Sequence, residues 1–305
     1  MRFFKKTNID FLSIRRRWYM VSGAVILAGM ISLSVKGIDY GIDFRGGTEV
    51  LFSFSRKLEV AEIRGALTTV GLGNSEIKSY GTEGNMLVRT TEQAEGNVVG
   101  DKIRLAIQQS FPDVRFEVLK EYRIWPKIGA ELRRDALYAI IASLVAILLY
   151  IAIRFQFSYG VGAVLALFHD VLVTLGIISI LDGLIPVNLE ITQEVIAAFL
   201  TLVGVSVNDT VVVFDRIREN IKIYRSLSLA EVMNRSLNDT LSRTIITNGS
   251  ILLVLVILLL FGGDSTRGFA FALTIGQITG TYSSIYIASA VVLDSSLRKK
   301  KPAQA

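Results

Sequence analysis

One aspartate stands inside a membrane-length apolar run, Glu194-VIAAFLTLVGVSV-Asn208-Asp209-Thr210-VVVF-Asp215. Thirteen mostly apolar residues precede the Asn-Asp-Thr triplet, and four apolar residues follow it. A charged side chain at membrane depth costs about 2.5–3.5 kcal/mol on insertion scales, so such a residue commonly marks a path for ions or protons. The run therefore predicts a membrane-spanning helix in which Asp209 has a function and needs a partner.

Composition predicts a membrane protein that also has a water-exposed part. The 305-residue chain is 51% hydrophobic and 20% charged, and its mean hydropathy is +0.49. It has no cysteine, which excludes disulfides and thiolate metal sites, and one histidine, His169, which excludes a histidine-rich metal cluster. A phosphate-binding Gly-x-x-x-x-Gly-Lys-Ser/Thr run is also absent from the sequence. We expect no cofactor and no metal, and an ionic rather than an ATP driving force.

Six segments are apolar enough to cross a bilayer, which needs about 20 residues in a helix. After the first of them, Lys36-Gly37-Ile38-Asp39 stands where a signal peptide would have small residues for cleavage, so we expect that segment to remain as a span. The six predicted spans are residues 18–35, 136–153, 159–181, 194–214, 242–261 and 268–293.

Basic residues orient these spans, because cytoplasmic loops carry an excess of lysine and arginine. The tails and the even-numbered connections hold the excess, whereas the loop at 182–193 has neither lysine nor arginine. We therefore expect both termini in the cytoplasm, and we attribute the net charge of +6 and the pI near 9.5 to topology rather than to nucleic-acid binding. The basic residues are Arg2, Lys5, Lys6, Arg15, Arg16, Arg17, Arg154, Arg216, Arg218, Lys222, Arg225, Arg235, Arg298, Lys299, Lys300 and Lys301.

The predicted organisation has a soluble domain between the first two spans. Its segments are a cytoplasmic tail (1–17), a first helix (18–36), an external domain with its linker (37–135), a five-helix region (136–293) and a basic cytoplasmic tail (294–305). Within the five-helix region, the amphipathic segment 215–241 is expected to lie along the cytoplasmic membrane surface.

Residues 40–125 alternate between strand and helix patterns. Strand-like runs at 48–54, 76–80, 86–91 and 114–124 are separated by amphipathic helix patterns at 59–70 and 97–111, and a Gly-Thr-Glu-Gly-Asn turn joins the second and third strands. The order βαββαβ predicts a ferredoxin-like α+β domain. We see no catalytic cluster in it and expect its carboxylates to be scattered and solvated. The predicted fold class is a polytopic α-helical membrane protein with six spans and this small external domain.

A glycine-rich run precedes the first predicted strand: Gly41-Ile42-Asp43-Phe44-Arg45-Gly46-Gly47-Thr48. The two adjacent glycines alone would be explained by a turn between linker and strand. The run resembles, however, the Gly-x-Asp-Phe-x-Gly-Gly signature of the SecD/SecF protein-export family. Three further stretches resemble that family, namely residues 125–136 (WPKIGAELRRDA), 207–220 (VNDTVVVFDRIREN) and 237–244 (LNDTLSRT).

The resemblance covers nearly the whole chain and is closer to SecF members than to SecD members, since SecD is expected to carry a much larger external region. Trp125 departs from it, because glycine is expected before Pro126. The family belongs to the resistance-nodulation-division superfamily. The resemblance implies a bacterial-type inner membrane, a SecD partner, proton-driven assistance to the SecYEG channel, and a translocating unfolded polypeptide as substrate. It also implies that the proton-pathway acid and arginine are Asp209 and Arg243.

Spacing makes contact between these two charges plausible without the resemblance. Asp209 lies five residues before the predicted cytoplasmic end of its span, and Arg243 opens the next span at the same side. If the spans pack together, the two meet at similar depth, and movement of the guanidinium toward and away from the carboxylate would make Asp209 release and take up protons. The alternatives are a static ion pair, or an arginine that reaches the lipid headgroups.

Other polar residues lie in the predicted spans. His169 and Asp170 form either a satisfied structural pair or a proton relay. Gly276-x-x-x-Gly280 permits close helix packing, within this chain or against a partner. The remaining candidates for support of the acid, or for plain packing, are Asn208, Thr247, Asn248 and Gln277.

Three other functions compete with proton-driven export. A small-molecule exporter of the same superfamily would need a larger external domain with a cleft. A passive assembly scaffold would tolerate neutral replacements of the membrane charges. An enzyme is disfavoured, because no nucleophile, base and orienting group cluster in the sequence.

Overall fold

The computed structural model describes residues 7–80, 84–92, 94, 97–155, 157–185 and 187–300. The predicted basic residues Arg2, Lys5, Lys6 and Lys301 and the first part of the turn at 81–85 lie outside the described residues. The chain divides into two compact units. The helical unit comprises Met1–Asp39, Tyr138–Leu189 and Glu194–Ala305, and the sheet unit comprises Tyr40–Leu137 and Glu190–Gln193.

Ten α-helices and four strands are found among the described residues. In chain order they are α1 (Arg15–Lys36), α2 (Ile42–Arg45), β1 (Gly47–Phe54), α3 (Val60–Thr68), β2 (Glu76–Ser79), β3 (Asn85–Thr90), α4 (Val98–Ser110), β4 (Phe116–Ile124), α5 (Pro126–Arg154), α6 (Phe157–Leu181), α7 (Gln193–Ile223), α8 (Leu229–Phe261), α9 (Asp264–Ser283) and α10 (Ser289–Lys300). A 3₁₀ turn at Leu12–Ile14 precedes α1, and a π-helical turn at Ser284–Ala288 joins α9 to α10.

Five helices of the described part are long and apolar enough to cross a membrane. They are Leu12–Lys36, Lys127–Arg154, Phe157–Leu181, Gln193–Ile223 and Leu229–Phe261. The stretch predicted as a sixth span, 268–293, is instead divided among α9, the π turn and α10. The chain is therefore a mostly helical protein with five candidate membrane spans and a small antiparallel sheet.

The amphipathic segment 215–241 is not a separate element. It forms the end of α7, a short connection and the beginning of α8, so α7 continues nine residues past Phe214 and Arg243 lies fourteen residues inside α8. Asn220 of α7 donates to the Ser236 hydroxyl of α8 at 3.0 Å. Ile217 and Met233 are fully buried in the same apolar cluster. Part of the apolar face that suggested membrane contact thus packs between the two helices.

Small residues set close helix contacts in the helical unit. A Cβ added at Gly29 of α1 would lie 2.5 Å from the Cα of Gly176 in α6. On α9, a Cβ at Gly276 would meet the Leu202 side chain of α7 at 2.5 Å, and one at Gly280 would meet Ser206 of α7 at 3.1 Å. The Gly-x-x-x-Gly pair therefore packs within this chain.

The sheet unit has four antiparallel strands in the order β2-β3-β1-β4. Alternating side chains of the strands bury one face of the sheet under α3 and α4, and the core holds the fully buried Phe52, Ile63, Leu67, Ile103 and Ile107. A carboxylate-to-amide capping box begins α3, where the Glu62 carboxylate accepts from the Glu59 backbone N–H. The predicted order βαββαβ is therefore confirmed, with element ends shifted by one or two residues.

Candidate functional site

The acid of the apolar run is buried in the helical unit. Asp209 lies near the middle of α7 with 6% of its surface exposed. Its Oδ2 accepts a hydrogen bond from the side-chain amide of Asn248 on α8. The same amide donates to the Thr281 hydroxyl of α9 at 2.9 Å. Three helices therefore meet at Asp209, and the direct partner of its carboxyl group is an uncharged amide.

Arg243 does not form an ion pair with Asp209 among the described side chains. It is exposed on α8, five positions before Asn248, which places it about 7.5 Å further along the helix axis. Its charge lies near enough to act on Asp209 through space. The structure thus brings the two residues into one neighbourhood without direct contact.

Of the other predicted polar residues, some contact Asp209 and others do not. Asn248 contacts Asp209, whereas Asn208 is exposed and Thr247 is half-buried, and neither is hydrogen-bonded to Asp209 in the described part of the chain. Gln277 is buried at 5% exposure, and its backbone carbonyl accepts from the Thr281 hydroxyl at 2.7 Å. Gln277 is therefore linked to the site through Thr281.

His169 and Asp170 form a second buried polar cluster on α6. Asp170 is fully buried and His169 is 6% exposed. The carboxyl group of Asp170 accepts from hydroxyls of α7 and α9, and the imidazole contacts both Asp170 and Tyr282 of α9. The two clusters are thus built on the same pair of helices, α7 and α9.

The glycine-rich signature is explained by backbone geometry in the sheet unit. Gly46 and Gly47 have φ of 74° and 128°, a region that other residues rarely adopt. A Cβ at Gly47 would lie 2.4 Å from the Thr90 carbonyl oxygen of β3, and one at Gly41 would lie 2.7 Å from the Thr192 side chain. The signature therefore allows the chain to pass close to β3 and to the segment 190–193.

The acid of the signature holds that segment in place. Asp43 is 7% exposed, and its Oδ2 accepts from the backbone N–H of Gln193, the first residue of α7, at 3.0 Å. The Gly41 N–H donates to the Ile191 carbonyl at 2.9 Å. The neighbouring Phe44 is 5% exposed and packs edge-on against Tyr40. Asp43 thus satisfies one of the free N–H groups that begin a helix.

A buried charge network fastens Glu190 to the sheet. Arg89 of β3 lies 2.7 Å from Glu49 of β1 and 2.8 Å from Glu190, and Lys78 of β2 lies 2.7 Å from Glu190. Burial alone would raise the pKa of Glu190, but the hydrogen bonds and charges of Arg89 and Lys78 outweigh it and hold the pKa below its ordinary value. The expectation of solvated carboxylates was therefore wrong for Glu49, which is 8% exposed because it pairs with Arg89.

Sequence reasoning missed this network and the hydroxyl partners of the second cluster. Glu190 is the last acid before the fourth predicted span, and its loop has no lysine or arginine. The absence of a nearby basic residue was a weak signal that its cationic partner lies elsewhere in the chain. Thr281, Tyr282 and Ser283 directly follow Gly280, and small residues and hydroxyls within a span are typical of interhelical contact. The partners themselves are remote in sequence, so spacing did not reveal them.

Comparison with known proteins identifies the family. Residues 105–298 match the family model described as protein export membrane protein SecD/SecF, C-terminal, and residues 31–57 match the SecD/SecF GG motif. The protein translocase subunit SecF of Rhodothermus marinus is 48% identical over 96% of this chain and 95% of its own length. The SecF subunit of Desulfurispirillum indicum is 40% identical over 93% of this chain and 91% of its own length.

The fold is similar to that of SecDF from Thermus thermophilus, a translocon-associated membrane protein. Its crystal structure gives a TM-score of 0.84 at 37% identity, and 96% of this chain is covered. A SecDF structure in the super-membrane-facing form gives a TM-score of 0.70 at 37% identity. This chain spans about two fifths of the length of those SecDF chains, 39% and 40%. The family-model match and the near-full-length relatives establish that the chain belongs to the SecD/SecF family of protein-export membrane proteins.

Proposed function

We propose that this chain is a proton-driven accessory subunit of Sec protein export, which acts with a SecD subunit to complete the passage of unfolded polypeptides across a bacterial inner membrane. The observation that carries the proposal is the buried Asp209, held by the amide of Asn248 while Arg243 stands nearby without pairing. The relatives named SecF and the likeness to SecDF support the role in export and the choice of partner.

The chemistry of the acid follows from its two neighbours. Burial away from cations favours the neutral, protonated form of a carboxyl group, and an approaching guanidinium favours the ionised form. Asn248 can donate to either form, so the amide tolerates both states. A movement of α8 that brings Arg243 to Asp209 would release a proton, and its return would allow the next proton to bind. Arginine suits this role because it stays charged throughout.

The topology belongs to the same proposal. We assign α9, the π turn and α10 together to a sixth span, which leaves both termini in the cytoplasm. The strand order β2-β3-β1-β4 supports a ferredoxin-like sheet unit on the external side. In this arrangement the sheet unit meets the emerging polypeptide, and proton flow through the helical unit drives its movement. The assembled complex would work at the SecYEG channel.

The test is preprotein release from energised inverted membrane vesicles that contain Asp209→Asn in the complete complex. The native complex should release preprotein faster when the vesicles are energised, and a protonophore should abolish the gain. Asparagine keeps the size and the hydrogen bond of the aspartate but cannot carry a proton. We expect the variant to assemble and to lose the energised gain.

A matched control uses another aspartate of the same helix. Asp215 is 46% exposed and pairs with Arg154 at 3.6 Å, away from the buried acid. Asp215→Asn should keep the energised gain, since an exposed ion pair contributes about 0–1 kcal/mol. If Asp209→Asn also keeps the full gain in an assembled complex, the acid is structural and the scaffold function replaces the proposal.

A further inference from the structure

A second buried carboxyl group lies outside the Asp209 site. Asp170 of α6 has no exposed surface, and its oxygens are taken by three donors from three helices. Ser206 of α7 donates to Oδ2 at 2.6 Å, and Ser283 of α9 donates to the same oxygen at 2.9 Å. Nδ1 of His169 lies 3.0 Å from Oδ1. Hydrogen bonds donated to a carboxyl group favour its anion, which opposes the effect of burial.

The imidazole beside it has a partner on each nitrogen. Nε2 of His169 lies 3.2 Å from the Tyr282 hydroxyl of α9, and the two rings stand edge-on with centroids 5.4 Å apart. Tyr282 is itself stacked on Trp18 of α1 at 5.1 Å. The ring can therefore carry protons on both nitrogens, donating one to Asp170 and the other to Tyr282.

No permanent cation compensates Asp170 among the described residues. The helices packed around it face it with the uncharged Ser206, Ser283 and Tyr282, while Asp209 stands one turn further along α7. Two charged groups of the neighbouring helices have other partners. The Lys36 ammonium binds carbonyl oxygens at the end of α6, and Asp294 of α10 pairs with Arg15 at 2.9 Å.

Charge balance then determines the proton content of the pair. Removing an ion from water costs several kcal/mol even after relaxation, so a buried site strongly favours zero net charge. Two arrangements give zero, a neutral acid beside a neutral imidazole or an anion beside an imidazolium, and both hold one proton more than the free residues would share at neutral pH. The hydroxyls of Ser206 and Ser283 on the carboxyl group favour the second arrangement. Loss of that proton would leave a neutral imidazole and a buried anion without a counter-charge. Such an anion would need water molecules to enter the site and solvate it.

The element that could admit water begins at the next residue. The π turn starts at Ser284, directly after Ser283, and the Ser289 N–H bonds to the Ser284 carbonyl five residues back. Such turns are commonly found at functional sites. Conversion of the turn to α-helix would rotate the preceding residues by about 100°, the angle per residue of an α-helix. Rotation of α9 would remove Tyr282 and Ser283 from the pair.

The same rotation would act on the first site. Thr281 binds Asn248, the partner of Asp209, whereas Tyr282 and Ser283 bind His169 and Asp170. Three consecutive residues of α9 therefore connect to both sites, Thr281 through Asn248, Tyr282 through His169 and Ser283 by direct contact with Asp170. We propose that His169 and Asp170 form a second proton-binding site in the helical unit, filled when α9 is packed as observed and emptied when the π turn of α9 rearranges. This site deepens the proposed function, and the role of its proton in transport rests on that function.

The chain has a single histidine, so one label reports on one side chain. The full chain would be produced with ¹⁵N-histidine and a histidine-free affinity tag, combined with unlabelled SecD subunit in liposomes, and studied by solid-state NMR at neutral pH. A free histidine is mostly neutral there, because its pKa is about 6.5. We expect signals of a ring protonated on both nitrogens in the native chain. A ring protonated on one nitrogen would overturn the proposal without any substitution.

Substitutions separate the pair from general packing. Asp170→Asn should leave a neutral ring, whereas Asp294→Asn, which changes a carboxyl group of α10 bound to Arg15, should leave the doubly protonated signal unchanged. A ring that stays doubly protonated in Asp170→Asn would overturn the proposal. The Asp209→Asn complex distinguishes the two hypotheses. If the Asp209→Asn complex keeps the energised gain while the native ring is doubly protonated, the proposed function fails and the second proton-binding site stands. If the Asp209→Asn complex loses the gain while the native ring is protonated on one nitrogen, the proposed function stands and the second site fails.

Discussion

Glu190 and Asp209 are both buried acids, but their charges are compensated in opposite ways. Glu190 is 1% exposed and lies 2.8 Å from Arg89 and 2.7 Å from Lys78. Asp209 is 6% exposed, and its direct partner is the amide of Asn248. A carboxylate between two cations stays ionised, whereas a carboxyl group beside an amide can exist in either form. The first arrangement fastens a segment, and the second allows a change of state.

The arginines of the two units show the same contrast. Arg89 has 7% of its side chain exposed and donates to Glu49 and to Glu190. Arg243 is exposed on α8 and is not paired with Asp209 in the described structure. An arginine that is already saturated by carboxylates cannot be moved without large cost, because it would leave buried charges behind. Arg243 has no such pairing with Asp209 among the described residues, so its movement would leave no buried carboxylate without a partner that it now contacts.

The comparison predicts that a permanent cation at Asp209 abolishes proton coupling. Asn248→Arg would give Asp209 the kind of partner that Glu190 has, so that its carboxylate stays ionised. We expect complete loss of the energised gain in preprotein release from inverted vesicles, the largest effect of the four. Asn248→Gln keeps an amide and should retain much of the gain.

Assembly must be verified for the arginine variant. Co-purification with the SecD subunit at native yield would show that the new charge is accommodated. Full energised release by an assembled Asn248→Arg complex would contradict the contrast drawn between the two acids, because Asp209 would then function as a permanent anion.

The second prediction removes the cation from the paired acid. Arg89→Ala leaves Glu49 and Glu190 with less compensation inside the sheet unit, and removal of one partner of a buried ion pair costs about 3–5 kcal/mol. We expect strongly accelerated amide hydrogen exchange in β3 and in segment 190–193 of the full chain. Arg56→Ala is the control, since Arg56 and Glu62 form an exposed pair at 3.5 Å whose loss should cost about 0–1 kcal/mol. Equal exchange in the two variants would show that the network adds no stability.

The third prediction concerns the backbone that brings the network together. Gly47 has φ of 128°, and a Cβ there would lie 2.4 Å from the carbonyl oxygen of Thr90, the residue after Arg89. Gly47→Ala should destabilise the sheet unit by about 1–3 kcal/mol, through strained φ and displacement of β3. Gly71→Ala is matched, because Gly71 also has positive φ, at 80°, but open space around it. Its thermal unfolding midpoint should fall less than that of Gly47→Ala.

Local patterns were sufficient to predict most of the fold. Strand alternation and helix periodicity in residues 48–124 yielded the order βαββαβ because each element buries one face of its own. Helix α7 continues to Ile223, past the predicted end of the fourth span at Phe214. The polar residues after Phe214 suggested water, whereas Asn220 and Arg216 bind Ser236 and Asp239 of α8. Periodicity cannot distinguish a polar face turned to water from one turned to another helix.

The candidate site was predicted only in part. Asp209 was visible because an acid in an apolar run is costly, and its partner Asn248 was among the candidates. The direct contact of Asn248, rather than Arg243, depends on the rotation of α8 about its axis, which spacing does not determine. Glu190 and Arg89 are 101 positions apart, and Asp170 and Ser283 are 113 apart. Such pairs are set by tertiary packing, so the residues next to each member do not identify its partner.

The fourth and smallest effect is the response of the paired acid to pH. The cations beside Glu190 hold its pKa below the ordinary value of 4.5 despite its burial. A lowered pKa in the folded chain means that this stabilisation is fully present above about pH 4.5 and is lost as the pH falls through the folded value. Exchange of the Gln193 and Gly41 amides, corrected for intrinsic rates, should therefore accelerate only in acid. The effect is modest because Lys78 is 38% exposed and its attraction is screened by water.

The control variant is Glu190→Gln. In it the same amides should exchange faster at neutral pH and should lack the acid-dependent increase. An identical pH profile in the native chain and in Glu190→Gln would mean that a group other than Glu190 controls the release of the segment.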